Sequence, residues 1–196
     1  MRPGLAAPRK FPFRSSPKRA ILSSMSKVIR ILGLDPGSAA TGWGVIDCAG
    51  PRLSFVAAGV IRAPRTAARA EKLSFIFKAL RACLDQHQPD EAAVEETFVN
   101  ANPRDALVLG QARGVALLAP SLAGLDVAEY ATNSIKKAVV GQGHAAKNQV
   151  QAMVRVLLPA SGEQPEDAAD ALAVAICHAH CRGARALEKA VAGARA

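Results

Sequence analysis

Long apolar runs are missing from this chain of 196 residues, although half of its residues are hydrophobic. Charge or glycine interrupts every run well short of the roughly 20 residues that a membrane-spanning helix needs. Cysteine is scarce and scattered. Cys48, Cys83, Cys177 and Cys181 lack the spacing of a disulfide framework, which points to a reducing compartment such as the cytoplasm. No internal repeat is present, and no low-complexity block beyond a richness in alanine. The length suits one globular domain with short extensions, not two domains.

Acids are absent from residues 1–24, which carry Arg2, Arg9, Lys10, Arg14, Lys18 and Arg19. Those six bases account for most of the formal net charge of +9, leaving the chain from Met25 onward at only +3. A basic balance points to a polyanionic partner, but in this chain the argument must rest on where particular lysines and arginines stand. Residues 1–24 also hold four of the twelve prolines and show neither helical nor strand periodicity. Two readings fit them: a mitochondrial transit peptide, or an in-frame extension ahead of a start at Met25. The second is favoured, because Met25-Ser-Lys-Val opens directly onto a strand. The expected organisation is a disordered basic extension over 1–24, a folded domain over 25–185 and a tail over 186–196.

Within the folded part, Val28–Leu34 is a β-branched run ending at the turn signal Asp35-Pro36-Gly37. Thr41–Asp47 and Leu53–Ile61 follow with short connections, which predicts an antiparallel meander. Ala67–His87 places Leu73, Ile76, Phe77, Leu80 and Leu84 on one helical face. A short strand, Glu91–Glu95, ends on Glu95-Glu96. Pro103 opens a helix to about Pro120, in which Ala106, Gly110 and Gly114 form a stripe of small residues suited to close approach of another backbone. A strand over Leu125–Tyr130 and helices over Asn133–Val139, Ala146–Leu158 and Glu166–Arg182 complete an α/β order with a mixed sheet.

Three acidic positions fall where such a fold displays side chains. Asp35 and Glu95 follow the C-terminal ends of two strands expected to run parallel, where α/β sheets bind ligands. Asp167 and Asp170, three residues apart at the head of the last helix, share a face. Four carboxylates converging there repel one another unless a cation intervenes. A hard divalent ion, Mg²⁺ or Mn²⁺, resolves that conflict with oxygen ligands, and a pair of them suits phosphodiester cleavage. Each acid alone also has a plainer reading: a turn former, a solvated strand end, or charge at a helix N-terminus. Asp170 fits these least, being set in an otherwise small and apolar stretch.

The order of the motifs carries more than any one of them. Ile31-Leu-Gly-Leu-Asp-Pro-Gly-Ser38 with Thr41-Gly-Trp-Gly44, Ala93-Val-Glu-Glu-Thr-Phe98, Leu109-Gly-Gln-Ala-Arg-Gly-Val115, Val139-Val-Gly141 and Asp167-Ala-Ala-Asp-Ala-Leu-Ala173 closely resemble the RuvC family of bacterial Holliday-junction resolvases over about residues 28–180. The resemblance implies an RNase H-like fold: a five-stranded mixed sheet flanked by helices. It implies a homodimer that nicks four-way DNA junctions in recombination and repair, with Mg²⁺ as cofactor and two ions per site, and the RuvA–RuvB branch-migration complex as partner. The family's catalytic and metal-binding carboxylates fall on Asp35, Glu95, Asp167 and Asp170. Its DNA contacts fall on Lys136, Lys147 and the base-stacking position Phe98. The extension before Met25 departs from the family's pattern.

Read without the resemblance, Lys136, Lys137 and Lys147 flank the glycine-rich stretch Val139–Ala145, and a solvated basic helix face is the alternative; Phe98 reads equally as a core anchor. Cys177-His178-Ala179-His180-Cys181 suggests zinc, but on a helix these four side chains point to different faces and cannot close on one ion. His144 reads as a phosphate-side or solvated residue. Two rivals remain: an actin-like ATPase, whose second phosphate loop is lacking, and a junction- or RNA-directed module of the same fold.

Overall fold

The structure, a computed structural model, describes residues 27–37, 39–96 and 102–193. The extension 1–24 and Phe98 lie outside the described residues. Five strands and five helices follow in the order β1 (Ile29–Pro36), β2 (Thr41–Ala49), β3 (Arg52–Ile61), α1 (Arg69–His87), β4 (Glu91–Glu96), α2 (Pro103–Leu122), β5 (Asp126–Ala131), α3 (Thr132–Val140), α4 (Lys147–Leu157) and α5 (Glu166–Gly193), with one 3₁₀ turn at Pro159–Ser161. The sheet order is β3-β2-β1-β4-β5. β1, β2 and β3 pair antiparallel, whereas β4 and β5 add in parallel to β1, as the meander and the crossover helices require.

Alternation along the central strands splits the core in two. Leu32, Leu34, Ala92 and Val94 pack with Ile76, Leu80, Ala116 and Ala119 under α1 and α2. Ile31, Ala93, Ala128 and Tyr130 face the other way, onto Ile135, Val150 and the α5 residues Leu172–Cys177. Because successive side chains in a strand point to opposite faces, Asp35 falls on the α5 side with Ile31, and Glu95 with Ala93.

α5 reaches the sheet closely because glycine lines the floor beneath it. A Cβ on Gly33 would stand 2.6 Å from the Ala175 backbone nitrogen and overlap the Ala171 carbonyl. One on Gly42 would overlap the carbonyl oxygen of Asp167. The far half of α5 is fixed through Glu91, on the same face of β4 as Glu95. The Arg182 guanidinium donates to both Glu91 oxygens, at 3.1 and 2.5 Å, and buried His178 meets Glu91 through Nε2 at 2.8 Å and the Tyr130 hydroxyl through Nδ1 at 2.9 Å.

Several boundaries differ from expectation. β1 runs on through Asp35 to Pro36, where pairing with β2 continues to Thr41, so Asp35 lies inside the paired end of the strand and not beyond it. α1 begins at Arg69, not Ala67, because a turn at Pro64–Ala67 precedes it and the Glu71 carboxylate accepts the Ala68 N–H at 3.0 Å. α5 runs on past Arg182 to Gly193, taking in most of the segment set apart as a tail. Gly183 reads as a stop signal, but the strong helix formers after it carry the helix on.

Candidate active site

β1 and β4 pair in parallel with Leu34 opposite Val94, so the next residues along, Asp35 and Glu95, stand side by side at the C-terminal end of the sheet. Asp170 reaches the same place from the first turns of α5. These three acids line one cleft of about 320 Å³ together with Thr132, Lys136, Lys147 and the apolar side chains of Ile135, Val150 and Ala173. Asp167 does not line that cleft. It sits close enough for its charge to be felt at Asp35, but its carboxylate turns to Arg62, which leaves the end of β3 and donates to it at 3.3 Å.

The electrostatics of the cluster follow from crowding. Burial, reinforced by the charges of Glu95, Asp170 and Asp167, pushes the Asp35 carboxyl up to about 7. Burial also raises Glu95, with Asp170 adding to it, against a hydrogen bond from the Thr132 hydroxyl at 2.5 Å. Asp170 is raised by burial although Lys147 opposes the shift. Lys147 Nζ lies 2.8 Å from the Asp170 carboxylate and is also paired with Glu166. Burial works to lower the lysine's pKa, and these two partners outweigh it and raise it.

Among the described residues no three or more His, Cys, Asp or Glu side chains are gathered into a preformed metal site. Arg62 and Lys147 are each paired with one of the carboxylates, Asp167 and Asp170 respectively. The donor set itself fits a hard divalent cation: it is all carboxylate oxygen, half-buried and short of positive charge at Asp35 and Glu95. Asp35, Glu95 and Asp170 face the cleft where such an ion would sit, and Asp167 would have to leave Arg62 to join them.

Of the remaining candidates, Lys136 and Lys147 enter the cleft from α3 and α4, while Lys137 and His144 are exposed. The Cys177–Cys181 stretch diverges: Cys177 is fully buried, His178 faces Glu91 and Tyr130, and His180 meets the Ala138 carbonyl at 3.1 Å. Three functional partners went unforeseen in the sequence. Thr132 reads there only as a residue ahead of a helix, Glu166 as a first-turn acid, and Arg62 as one base after a strand. The one signal for Thr132 is alternation: two residues beyond Tyr130, it continues the α5-facing side of β5 towards Glu95.

A mixed sheet in this order, with acids at the ends of two neighbouring parallel strands and on the helix that closes over them, defines the RNase H-like class of proteins. Comparison with known proteins narrows the class. The family model described as crossover junction endodeoxyribonuclease RuvC matches residues 31–178. The crossover junction endodeoxyribonuclease RuvC of Azorhizobium caulinodans is 58% identical over 163 residues, covering 83% of this chain and 96% of that one. Its counterpart from Nitrobacter hamburgensis is 55% identical over 168 residues, covering 86% and 99%. Among solved structures, Thermus thermophilus RuvC superposes with a TM-score of 0.72 at 32% identity, over 79% of this chain and 95% of that one. The same protein in complex with a Holliday junction substrate gives 0.72 at 33% identity, over 77% and 93%. This chain belongs to the RuvC family.

Proposed function

We propose that the protein is an endodeoxyribonuclease that resolves four-way DNA junctions by paired nicks, in recombination and repair. One observation carries this reading: the cleft at the ends of β1 and β4 combines three converging acids with two lysines, on a chain that matches the RuvC family from residue 31 to 178. Acids alone would repel a phosphodiester; Lys136 and Lys147 make the cleft habitable for one.

Asp35, Glu95, Asp167 and Asp170 are assigned the holding of Mg²⁺, or Mn²⁺ in its place, with two ions per site. Bound there, the ions supply an activated water and charge stabilisation at the leaving oxygen. Thr132 orients the Glu95 carboxylate, and Arg62 steadies Asp167. Lys136 and Lys147 position the phosphate, Lys147 standing between Asp170 and the incoming strand. Phe98 is assigned to base stacking in the opened junction.

A four-way junction presents two equivalent strands, so a two-fold enzyme is the economical reader of it. The outer face of α2 suits a second copy. Leu107, Leu118 and Leu122 are 64%, 50% and 61% exposed, and among the described residues nothing lies within 4 Å of a Cβ placed on Gly110 or Gly114, which fall on the same face. The assigned setting is the cytoplasm, with the RuvA–RuvB complex as partner; among the described residues no helix is long and apolar enough to cross a membrane.

The test uses the full chain with an end-labelled four-way junction, in Mg²⁺ or EDTA, beside matched duplex, single-stranded DNA and RNA. Symmetric nicks in two strands of like polarity, confined to the junction and to Mg²⁺, are expected. Cutting of duplex or RNA in preference to the junction contradicts the reading. Lys136→Ala and Lys147→Ala should each lower the salt slope of junction affinity by about 0.9, the release accompanying one phosphate contact; unchanged slopes return both lysines to solvated surface.

A further inference from the structure

A second cavity, of about 260 Å³, lies on the other face of the same sheet end, between α1 and α2. Its lining combines Arg65, Arg69 and Lys72 with an apolar wall that includes Leu73, Ile76 and Val108, and among the described residues no acid lines it. Among the described residues neither arginine is in an ion pair. Lys72 Nζ donates one hydrogen bond, at 2.8 Å, to the Arg65 carbonyl, which fixes the loop and leaves two donors over. The neighbouring acid, Glu71, is engaged on the Ala68 N–H, and Asp105 on Asn102. Three cationic residues thus line one cavity beside an apolar wall, and among the described residues no acid faces them there.

The register of the sheet relates this cavity to the acid cleft. Pro36 of β1 and Ile61 of β3 both stand opposite Thr41, so the loop after β3 leaves the sheet at the same end as Asp35. That loop carries Arg62 to Asp167 and, three residues later, Arg65 into the cavity. Gly37, two residues past Asp35, is on the cavity's rim. The two sites therefore flank the β1–β2 turn, with Arg62 between them.

We propose that this cavity is a second phosphodiester-binding site, which holds the junction strand on the far side of the β1–β2 turn from the phosphate being cut. Arg65, Arg69 and Lys72 take the phosphates, and Leu73, Ile76 and Val108 take the face of a sugar or an unstacked base. The inference rests on the junction-cleaving reading and deepens it. An inorganic anion would use the cations but not the apolar wall, whereas a nucleotide strand uses both.

The test is binding of the full-length double variant Arg65→Ala/Arg69→Ala to a four-way junction in EDTA over a salt series. Both side chains belong to exposed residues, so thermal melting should match the wild type. The slope of log affinity against log salt should fall by about 1.8, at about 0.9 per lost phosphate contact. Neutral methylphosphonate linkages, introduced one at a time beside the cut, should weaken wild-type binding at one or two positions and cost the variant nothing there. Wild-type binding with an unchanged slope and methylphosphonate profile in the variant overturns this site and leaves the junction reading intact. Stabilisation of the wild type by inorganic phosphate alone, with that unchanged slope, makes the cavity a small-anion site and also overturns the proposal. A wild type that binds no junction overturns the functional reading and this site with it.

Discussion

At Asp35, burial and neighbouring charge act in the same direction, and the consequence is measurable without substrate. The folded protein holds this proton until about pH 7, whereas an unfolded chain releases it near 3.8. Between those values the native state binds the extra proton, so this residue's contribution to stability falls as pH rises from about 4 to about 7 and levels off beyond. Glu95 and Asp170, also raised, act in the same sense. A divalent cation relieves the repulsion by replacing the protons. Melting temperature in EDTA should therefore decline across that window, and Mg²⁺ should restore it most at the alkaline end. Asp35→Asn should give a shallower decline and lose most of the Mg²⁺ response. A wild-type protein equally stable across the window, with no response to Mg²⁺, would contradict the electrostatic account of the cluster.

α5 is the element on which the site depends, because it carries two of the four acids and rests on glycine. At Gly42 even a methyl group meets the Asp167 carbonyl, so Gly42→Ala must move the helix start or strain β2. Overpacking of this kind costs about 1–3 kcal/mol, and the lowered melting temperature should be accompanied by weaker Mg²⁺ stabilisation, since Asp167 moves with its backbone. The opposite holds on α2. Among the described residues nothing crowds Gly110, and replacing glycine inside a helix raises helix propensity by up to about 1 kcal/mol. Gly110→Leu should thus fold at least as well as the wild type yet read as a monomer by light scattering. A folded dimer carrying that substitution would remove this face of α2 from the interface.

Over the whole molecule, what was legible in the sequence was what repeats or punctuates locally. A β-branched apolar run marked the first strand, Pro36-Gly37 closed β1, and Pro103 opened α2. The placement of Asp35 and Glu95 at the ends of two parallel strands followed from the order of strands and helices, whereas the adjacency of those strands emerges only in the sheet. What stayed hidden joins residues far apart in the chain. Arg62 meets Asp167, Thr132 meets Glu95, and Glu91 holds His178 and Arg182; no period in the sequence encodes such pairs. Lys147 illustrates the difference. Its position beside a glycine-rich loop suggested a phosphate contact, but its pairing with Asp170 and Glu166 exists only once α4 packs on α5. The cavity lined by Arg65, Arg69 and Lys72 was hidden for the same reason, since α2 supplies its other wall.

On the proposed function, the acids at this sheet end cut the junction while the basic residues around them hold it. Asp170→Asn separates the two roles, because it keeps the size of the side chain and removes one charge. Binding and cleavage of the same labelled junction should be measured in parallel for this variant and the wild type. Junction affinity should equal or exceed that of the wild type, since a negative charge facing the phosphates has gone, and cleavage in Mg²⁺ should fall by at least about 10³-fold. Cleavage near the wild-type rate, or loss of binding and cleavage together in a variant that remains folded, would contradict the proposed function.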